Sequence, residues 1–170
     1  ELDYYIVGDG GFTVRRAEHE AIATAYEAQT GKGVATSARA FLSALEVMGI
    51  RRLAVLTPRL PSTGVVSGGL WEECGYTVSV AIGLNCASAF EIVNTPEAEL
   101  RAALASLCAG EAEAVLATGT NILLMDLAAA AERELGKPIL HINTVLLWYA
   151  LRQNGFTDQI DGYGRLLSAH

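Results

Sequence analysis

Residues 114–125 read AVLATGTNILLM, and this stretch decides the fold class. An apolar run, predicted as a strand over residues 112–117, stops at Thr118-Gly119-Thr120-Asn121. A second apolar run follows, and its spacing predicts a helix over residues 122–135. Small hydroxyl and glycine residues that interrupt two apolar runs are typical of a loop that binds a ligand at the end of a buried strand.

The same alternation of apolar strand and helix continues along the chain. The strands are unbroken apolar runs, as in a sheet that is covered on both faces. This pattern predicts an α/β fold whose parallel sheets have helices on both faces. The other predicted strands are Leu2–Val7, Arg51–Thr57, residues 76–84 and a short strand in GKPILHIN, and the other helices are Arg15–Gln29, a helix from Thr36 or Ser37 to Met48, one that ends near Cys74, one from Pro96 to Cys108, and one from about Thr144 to Gln153.

Composition excludes several classes of function. The net charge of −7 leaves no basic stripe that could neutralise phosphates, so we expect no nucleic-acid partner. No apolar run reaches the roughly 20 residues that span a bilayer, so no membrane association is expected. Three cysteines without a Cys-x-x-Cys spacing suit reduced thiols in the cytoplasm. The three histidines lie far apart in the sequence, so no metal site is expected. The sequence contains no complete dinucleotide-binding or phosphate-loop motif, so no cofactor is expected.

The carboxyl ends of four predicted strands carry residues that suit an anion. In open parallel sheets these ends face one crevice, and each is predicted to precede a helix whose free N–H groups favour negative charge. Arg59 adds a planar guanidinium that matches a carboxylate. We therefore expect a small carboxylate as the ligand. The candidate binding residues are Gly10, Arg59, Thr118, Thr120, Asn121 and Asn143.

Structural explanations compete with each functional one. Asn121 is also a common type of helix cap, and glycines also serve tight turns. Arg59 is equally explained as a solvated loop residue. His141 lies in an apolar strand, where a satisfied core histidine is more common than a catalyst. Asp9, between glycines at a strand end, is explained either as a base or by turn chemistry.

Several longer segments resemble one family. The chain is similar to the aspartate/glutamate racemase superfamily, in its arylmalonate decarboxylase and maleate isomerase branch, along essentially all 170 residues. The last two matching segments are the most specific. The segments are TGKGVATSARAFLSALEVMGIRRLAVLTP, GLNCASAFEI, ATGTNILLMDLAAAAERELGKPIL, INTVLLWYALRQNGF and DGYGRLL.

The resemblance implies two similar α/β lobes with the active site in the cleft between them. Residues 1–51, completed by residues 146–170, would belong to the first lobe, and residues 52–145 would form the second. It also implies strands and helices ahead of residue 1, so that the first lobe is incomplete here. The resemblance implies that no cofactor is needed. The habit of the family and the apolar composition together predict a homo-oligomer.

The resemblance places Gly8 and Gly119 where the family carries its two catalytic cysteines. The anion cradle of the family would correspond to residues around these two positions, and Arg59 would occupy the position of a tyrosine. We therefore expect an enzyme that performs decarboxylase, isomerase or racemase chemistry beside a carboxylate, with Asp9, His141 or a residue of the segment expected ahead of residue 1 supplying the missing acid–base group. The alternative is a catalytically silent protein that binds small carboxylates.

Overall fold

The computed structural model describes residues 2–8, 15–59 and 69–170. Its strands are β1 (Tyr4–Val7), β2 (Gly33–Thr36), β3 (Arg52–Thr57), β4 (Thr77–Gly83), β5 (Ala114–Ala117) and β6 (Ile139–His141). Its helices are α1 (Arg16–Thr30), α2 (Ser37–Val47), α3 (Leu70–Glu73), α4 (Ala89–Val93), α5 (Glu97–Ala109), α6 (Met125–Leu135), α7 (Ile142–Gln153) and α8 (Arg165–Ala169).

All strand pairs of the described residues are parallel, which confirms the α/β prediction. One sheet has the order β1-β2, and the other has the order β4-β3-β5-β6. In the larger sheet Ala117 of β5 pairs with Leu56 of β3 on one side and with His141 of β6 on the other. The carboxyl ends of these three strands therefore lie at one edge of the sheet.

Strands β3, β5 and β6 of the larger sheet are buried on both faces, which explains their unbroken apolar runs. Leu53 and Val55 of β3 point into a core that includes α2 and α7. Ala54 and Leu56 of the same strand point into a second core, which includes α5 and α6. All four side chains are 0% exposed, so neither face of β3 tolerates a polar residue.

Helix α7 joins the two sheets. It contacts β1 and β2 as well as β6, and it packs along α2. Trp148 of α7 is buried, whereas Leu147 is partly exposed. None of the helices in the described ranges is long and apolar enough to cross a membrane.

Some predicted boundaries were wrong. Strand β2 and helix α4 were not predicted, because they have only four and five residues and lie beside turn-forming glycine, serine and asparagine. Helix α6 begins at Met125 rather than at residue 122, since Ile122 N–H closes a turn on the Gly119 carbonyl first. Helix α7 begins at Ile142, two residues earlier than predicted.

A buried carboxylate fastens the C-terminal segment to α6. Glu132 is 5% exposed and accepts hydrogen bonds from the backbone N–H groups of Ile139 and Arg165, at 3.1 and 2.9 Å. The Arg165 guanidinium adds a 3.0 Å ion pair. Gly164, at φ +92°, lies so close that a Cβ atom there would be 3.2 Å from Glu132 Oε2. This packing gives a structural reason for Gly164 and Arg165 in the DGYGRLL segment.

Replacing Glu132 should cost much of the stability of the chain. We expect Glu132→Ala to lower the free energy of unfolding by about 2–4 kcal/mol, because two backbone N–H groups and a guanidinium lose their acceptor. Glu134→Ala is the control, since Glu134 lies on the same helix and makes only an exposed ion pair with Arg101. Urea unfolding measures both. Equal losses in the two variants would contradict this role for Glu132.

Candidate functional site

The carboxyl ends of four strands approach one another, as the fold rule predicted. Asn143, after β6, donates a 3.1 Å hydrogen bond from Nδ2 to the carbonyl of Thr120, after β5. Pro58, after β3, packs against Gly119. A Cβ atom at Gly8, after β1, would be 3.1 Å from the methyl group of Thr120. The loop that follows β5 is therefore the centre of the arrangement.

A cavity of about 550 Å³ opens beside this loop. Its walls come from the end of β6, from the segment between β5 and α6, and from the start of α5. Six of the twelve described lining residues are apolar. The described lining residues are Thr95, Glu97, Leu100, Thr120, Ile122, Leu123, Leu124, Met125, Asp126, Leu127, His141 and Asn143.

His141 is the buried polar group of this cavity. Its side chain is 1% exposed, and in the part of the chain that the structure describes neither ring nitrogen has a hydrogen-bond partner of acceptable geometry. Burial lowers the pKa of His141 to about 4, against a weaker opposite effect of the Gly119 backbone nearby. The imidazole is therefore neutral at pH 7, and it can still accept or donate a proton.

The N-terminus of α7 begins at this histidine. His141 is the N-cap residue of the helix, and Asn143 lies in its first turn. The first N–H groups of a helix have no partner within it and carry the positive end of its dipole. The end of β6 runs directly into a helix, as predicted, whereas the end of β5 does not, because α6 begins only at Met125. The residues that follow Gly8 and Arg59 lie outside the described ranges, so the prediction is not tested at β1 and β3.

Gly119 has a conformation that a side chain would strain. Its φ is +99°, and a Cβ atom there would lie 2.8 Å from Cγ and 3.0 Å from Cδ of Pro58. The proline ring thus fills the space where a side chain at this position would begin. Gly8 is less constrained, since its nearest neighbour is the single methyl contact with Thr120.

Three predicted binding residues lie outside the described lining of the cavity. The hydroxyl of Thr118 is buried and donates a 3.2 Å hydrogen bond to the Leu56 carbonyl, so it joins β5 to β3. Arg59 is exposed. Asn121 is also exposed, and it does not cap α6, because the intervening turn places Leu124 at the N-cap position. Asp9 and Gly10 fall outside the described residues.

No cysteine is among the described lining residues of the cavity. Cys74 ends α3 and Cys108 lies in α5, and burial raises the pKa of both thiols, which disfavours the reactive thiolate. Cys86 is buried near Thr95, with 3.7 Å between its Sγ and the hydroxyl oxygen. Among the residues with described positions, no three His, Cys, Asp or Glu side chains cluster as metal ligands.

Two charged residues of the cavity were not predicted. Asp126 lies in the first turn of α6, and Glu97 lies in the first turn of α5. Acidic residues at these positions are usual complements of the helix dipole, so nothing in the sequence assigns them to a ligand site. The contact between Pro58 and Gly119 was also missed, because it depends on the φ of Gly119.

Comparison with known proteins identifies the family. The sequence pattern of the family described as arylmalonate decarboxylase matches residues 12–167. The chain belongs to the arylmalonate decarboxylase family. A maleate isomerase from Nocardia farcinica (strain IFM 10152) is 29% identical to this chain over 156 residues, which are 88% of this chain and 62% of the relative. The chain thus spans less than two thirds of the length of that relative.

Solved structures agree with this assignment. A serine-for-cysteine variant of Nocardia farcinica maleate cis-trans isomerase, with a covalently bound succinylcysteine intermediate, is 27% identical and has a TM-score of 0.87 over 100% of this chain and 72% of that one. A double variant of arylmalonate decarboxylase in its liganded form has a TM-score of 0.88 over 99% and 74%, at 20% identity. The second likeness establishes the fold alone.

In this arylmalonate decarboxylase family member, a side chain at Gly119 should be costly. We expect Gly119→Ala to lower the free energy of unfolding by about 2–3 kcal/mol, through the positive φ and the Pro58 contact together. Gly136→Ala is the control: its φ is +74° with no atom within 4 Å of a Cβ, so we expect about 1 kcal/mol. Urea unfolding measures both, and Pro58→Ala should recover part of the Gly119→Ala loss. Equal costs at the two glycines would refute the Pro58 contact.

The buried imidazole should make stability depend on pH. The unfolded chain takes up a proton on His141 near pH 6.5, whereas the folded chain does so only near pH 4. The unfolded state therefore binds more protons between these values, and stability falls as the pH falls. We expect the wild type to lose about 2 kcal/mol between pH 7 and pH 5 that His141→Gln does not lose. Urea unfolding at both pH values measures this difference, and the same loss in His141→Gln would assign it to other groups.

Proposed function

We propose that this chain acts on a small carboxylate by acid–base chemistry at the carbon next to the carboxylate, with His141 as the proton carrier. The observation that carries the proposal is the buried imidazole, without a partner among the described residues, on the wall of a cavity at the strand ends. Family membership supports this class of reaction, because the relatives are arylmalonate decarboxylase and maleate isomerase.

The neutral imidazole would gain basicity only when a substrate is bound. A carboxylate beside His141 favours the charged ring and raises its pKa from about 4 towards neutrality. A base whose pKa lies near the working pH is the most effective proton carrier. His141 would then remove a proton from the carbon next to the carboxylate, or return one, without a thiol.

The start of α7 would hold the carboxylate. Asn143 lines the cavity in the first turn of this 12-residue helix, and its side chain is fixed by the bond to Thr120. Free N–H groups at a helix start are suitable donors to an anion. The leucine-rich walls would exclude water and so strengthen each of these contacts.

A catalytically silent binding protein is the second candidate. The resemblance favours it, because it implies that Gly8 and Gly119 stand where the family carries its cysteines. One observation supports it further, since at Gly119 the Pro58 ring fills the space of a side chain. Such a protein would keep the cavity and the helix start and would lack proton transfer.

Proton NMR in heavy water separates the two candidates. The wild type and His141→Gln are incubated with malonates, maleate, aspartate, glutamate and hydantoins. We expect the wild type to give deuterium next to a carboxylate, or a product, at a rate at least about a hundredfold above His141→Gln, as for the loss of a general acid–base group. Line-broadening of the ligand should persist in the variant.

Either of two results would contradict the catalytic proposal. Equal rates in the two proteins would remove His141 from the chemistry and leave Asp9 as the remaining candidate. Broadened ligand lines without deuterium exchange in the wild type would favour the silent binding protein.

We also infer two lobes, residues 1–51 with 146–170 and residues 52–145, and a homo-oligomer in the cytoplasm. The separate β1-β2 and β4-β3-β5-β6 sheets support the division into lobes. These inferences stay predictions, and the cavity described above does not depend on them.

A further inference from the structure

The charges around the cavity point to a more specific ligand. Glu97 and Asp126 are its charged side chains, and no lysine or arginine is among its described lining residues. The segments without a described position, residues 9–14 and 60–68, contain no lysine or arginine either. A second carboxylate on the ligand would therefore meet negative charge, with no basic side chain of the described lining to offset it.

Asp126 is the free carboxylate of the pair. It is exposed at the start of α6 and has no hydrogen bond or ion pair with any residue that the structure describes. Glu97, by contrast, forms a 2.8 Å ion pair with Arg101, four residues along α5. A cation in the cavity would therefore be attracted mainly by Asp126.

The part of the cavity beside the buried histidine favours an anion instead of a cation. His141 is 99% buried at the N-terminus of α7, so it offers hydrogen bonds, together with the helix start, where a carboxylate is favourable. One part of the cavity lining thus suits an anion and another suits a cation, and leucine and methionine side chains are among the other lining residues.

We propose that the ligand of this site is an amino carboxylate, with its carboxylate at His141 and the start of α7 and its ammonium group at Asp126. This proposal rests on the proposed function and narrows its substrate class from small carboxylates to those with an ammonium group. The apolar lining between the two ends would contact the hydrocarbon part of the ligand.

Matched ligands of equal length test it. The probes are 5-aminopentanoate, 2-aminopentanoate, pentanoate and glutarate, with the corresponding four- and six-carbon series. Affinity is measured by calorimetry with the whole chain, and the imidazole signals of His141 are followed by NMR. We expect at least one amino carboxylate to bind about threefold to fivefold more tightly than the alkanoate of its length, and more tightly than the dicarboxylate.

Two variants assign the preference to one side chain. Asp126→Asn should abolish the threefold to fivefold preference for the amino carboxylate over the alkanoate. Glu99→Gln is the control, because it removes one negative charge from the first turn of α5 at an exposed position outside the cavity lining. It should keep the preference.

The outcomes separate this proposal from the one it rests on. Glutarate binding more tightly than every amino carboxylate, with a shift of the His141 signals, would overturn the ammonium site and leave the carboxylate site intact. A preference that survives in Asp126→Asn would also overturn it. Absence of binding by all probes, with unmoved His141 signals, would overturn both.

Discussion

The candidate site depends on the burial of the His141 imidazole where β6 ends and α7 begins. The parallel pairing of β5 with β6 holds this junction beside the loop after β5. The side chain cannot reach solvent from there, and burial alone keeps it neutral at pH 7. A neutral, unpaired imidazole is a costly group to bury unless something else compensates. The carboxylate of the proposed ligand would accept a hydrogen bond from this ring.

The same strand ends limit the space around two glycines. In the described residues a Cβ atom at Gly119 would meet Pro58, and one at Gly8 would meet Thr120, so the loops after β1, β3 and β5 lie close together. Close contact of this kind leaves little room for larger side chains at these two positions. The open volume lies instead towards β6 and α5, along the wall that carries His141 and Asp126. A substrate would therefore reach the site from that side.

Much of the fold was predictable, and the reasons are physical. Strands β3 and β5 are continuous apolar runs because both faces of the sheet are covered, and the capping of α2 by Thr36 follows from its hydroxyl, which accepts the N–H of Arg39. Strand β2 and helix α4 were missed because four or five residues carry too little periodicity to be distinguished from a turn.

The site was predictable only in its placement. Strand order brought Thr120, Asn143 and His141 to one edge, as expected for an open parallel sheet. The roles of Thr118 and Asn121 could not be predicted. The hydroxyl of Thr118 donates its hydrogen bond to the Leu56 carbonyl, and Asn121 lies in a turn that precedes α6. Both facts depend on a few backbone angles. Asp126 occupies an ordinary position in the first turn of a helix, and only the structure shows that it also lines the cavity.

Helix α6 connects two distant parts of the molecule. Its first turn forms the cavity wall, and its last turns hold the C-terminal segment through Glu132. Asp126 and Glu132 are six residues apart, or about 9 Å along the helix axis. The C-terminal segment therefore supports the helix that forms one wall of the cavity, although none of the last ten residues is among the described lining residues.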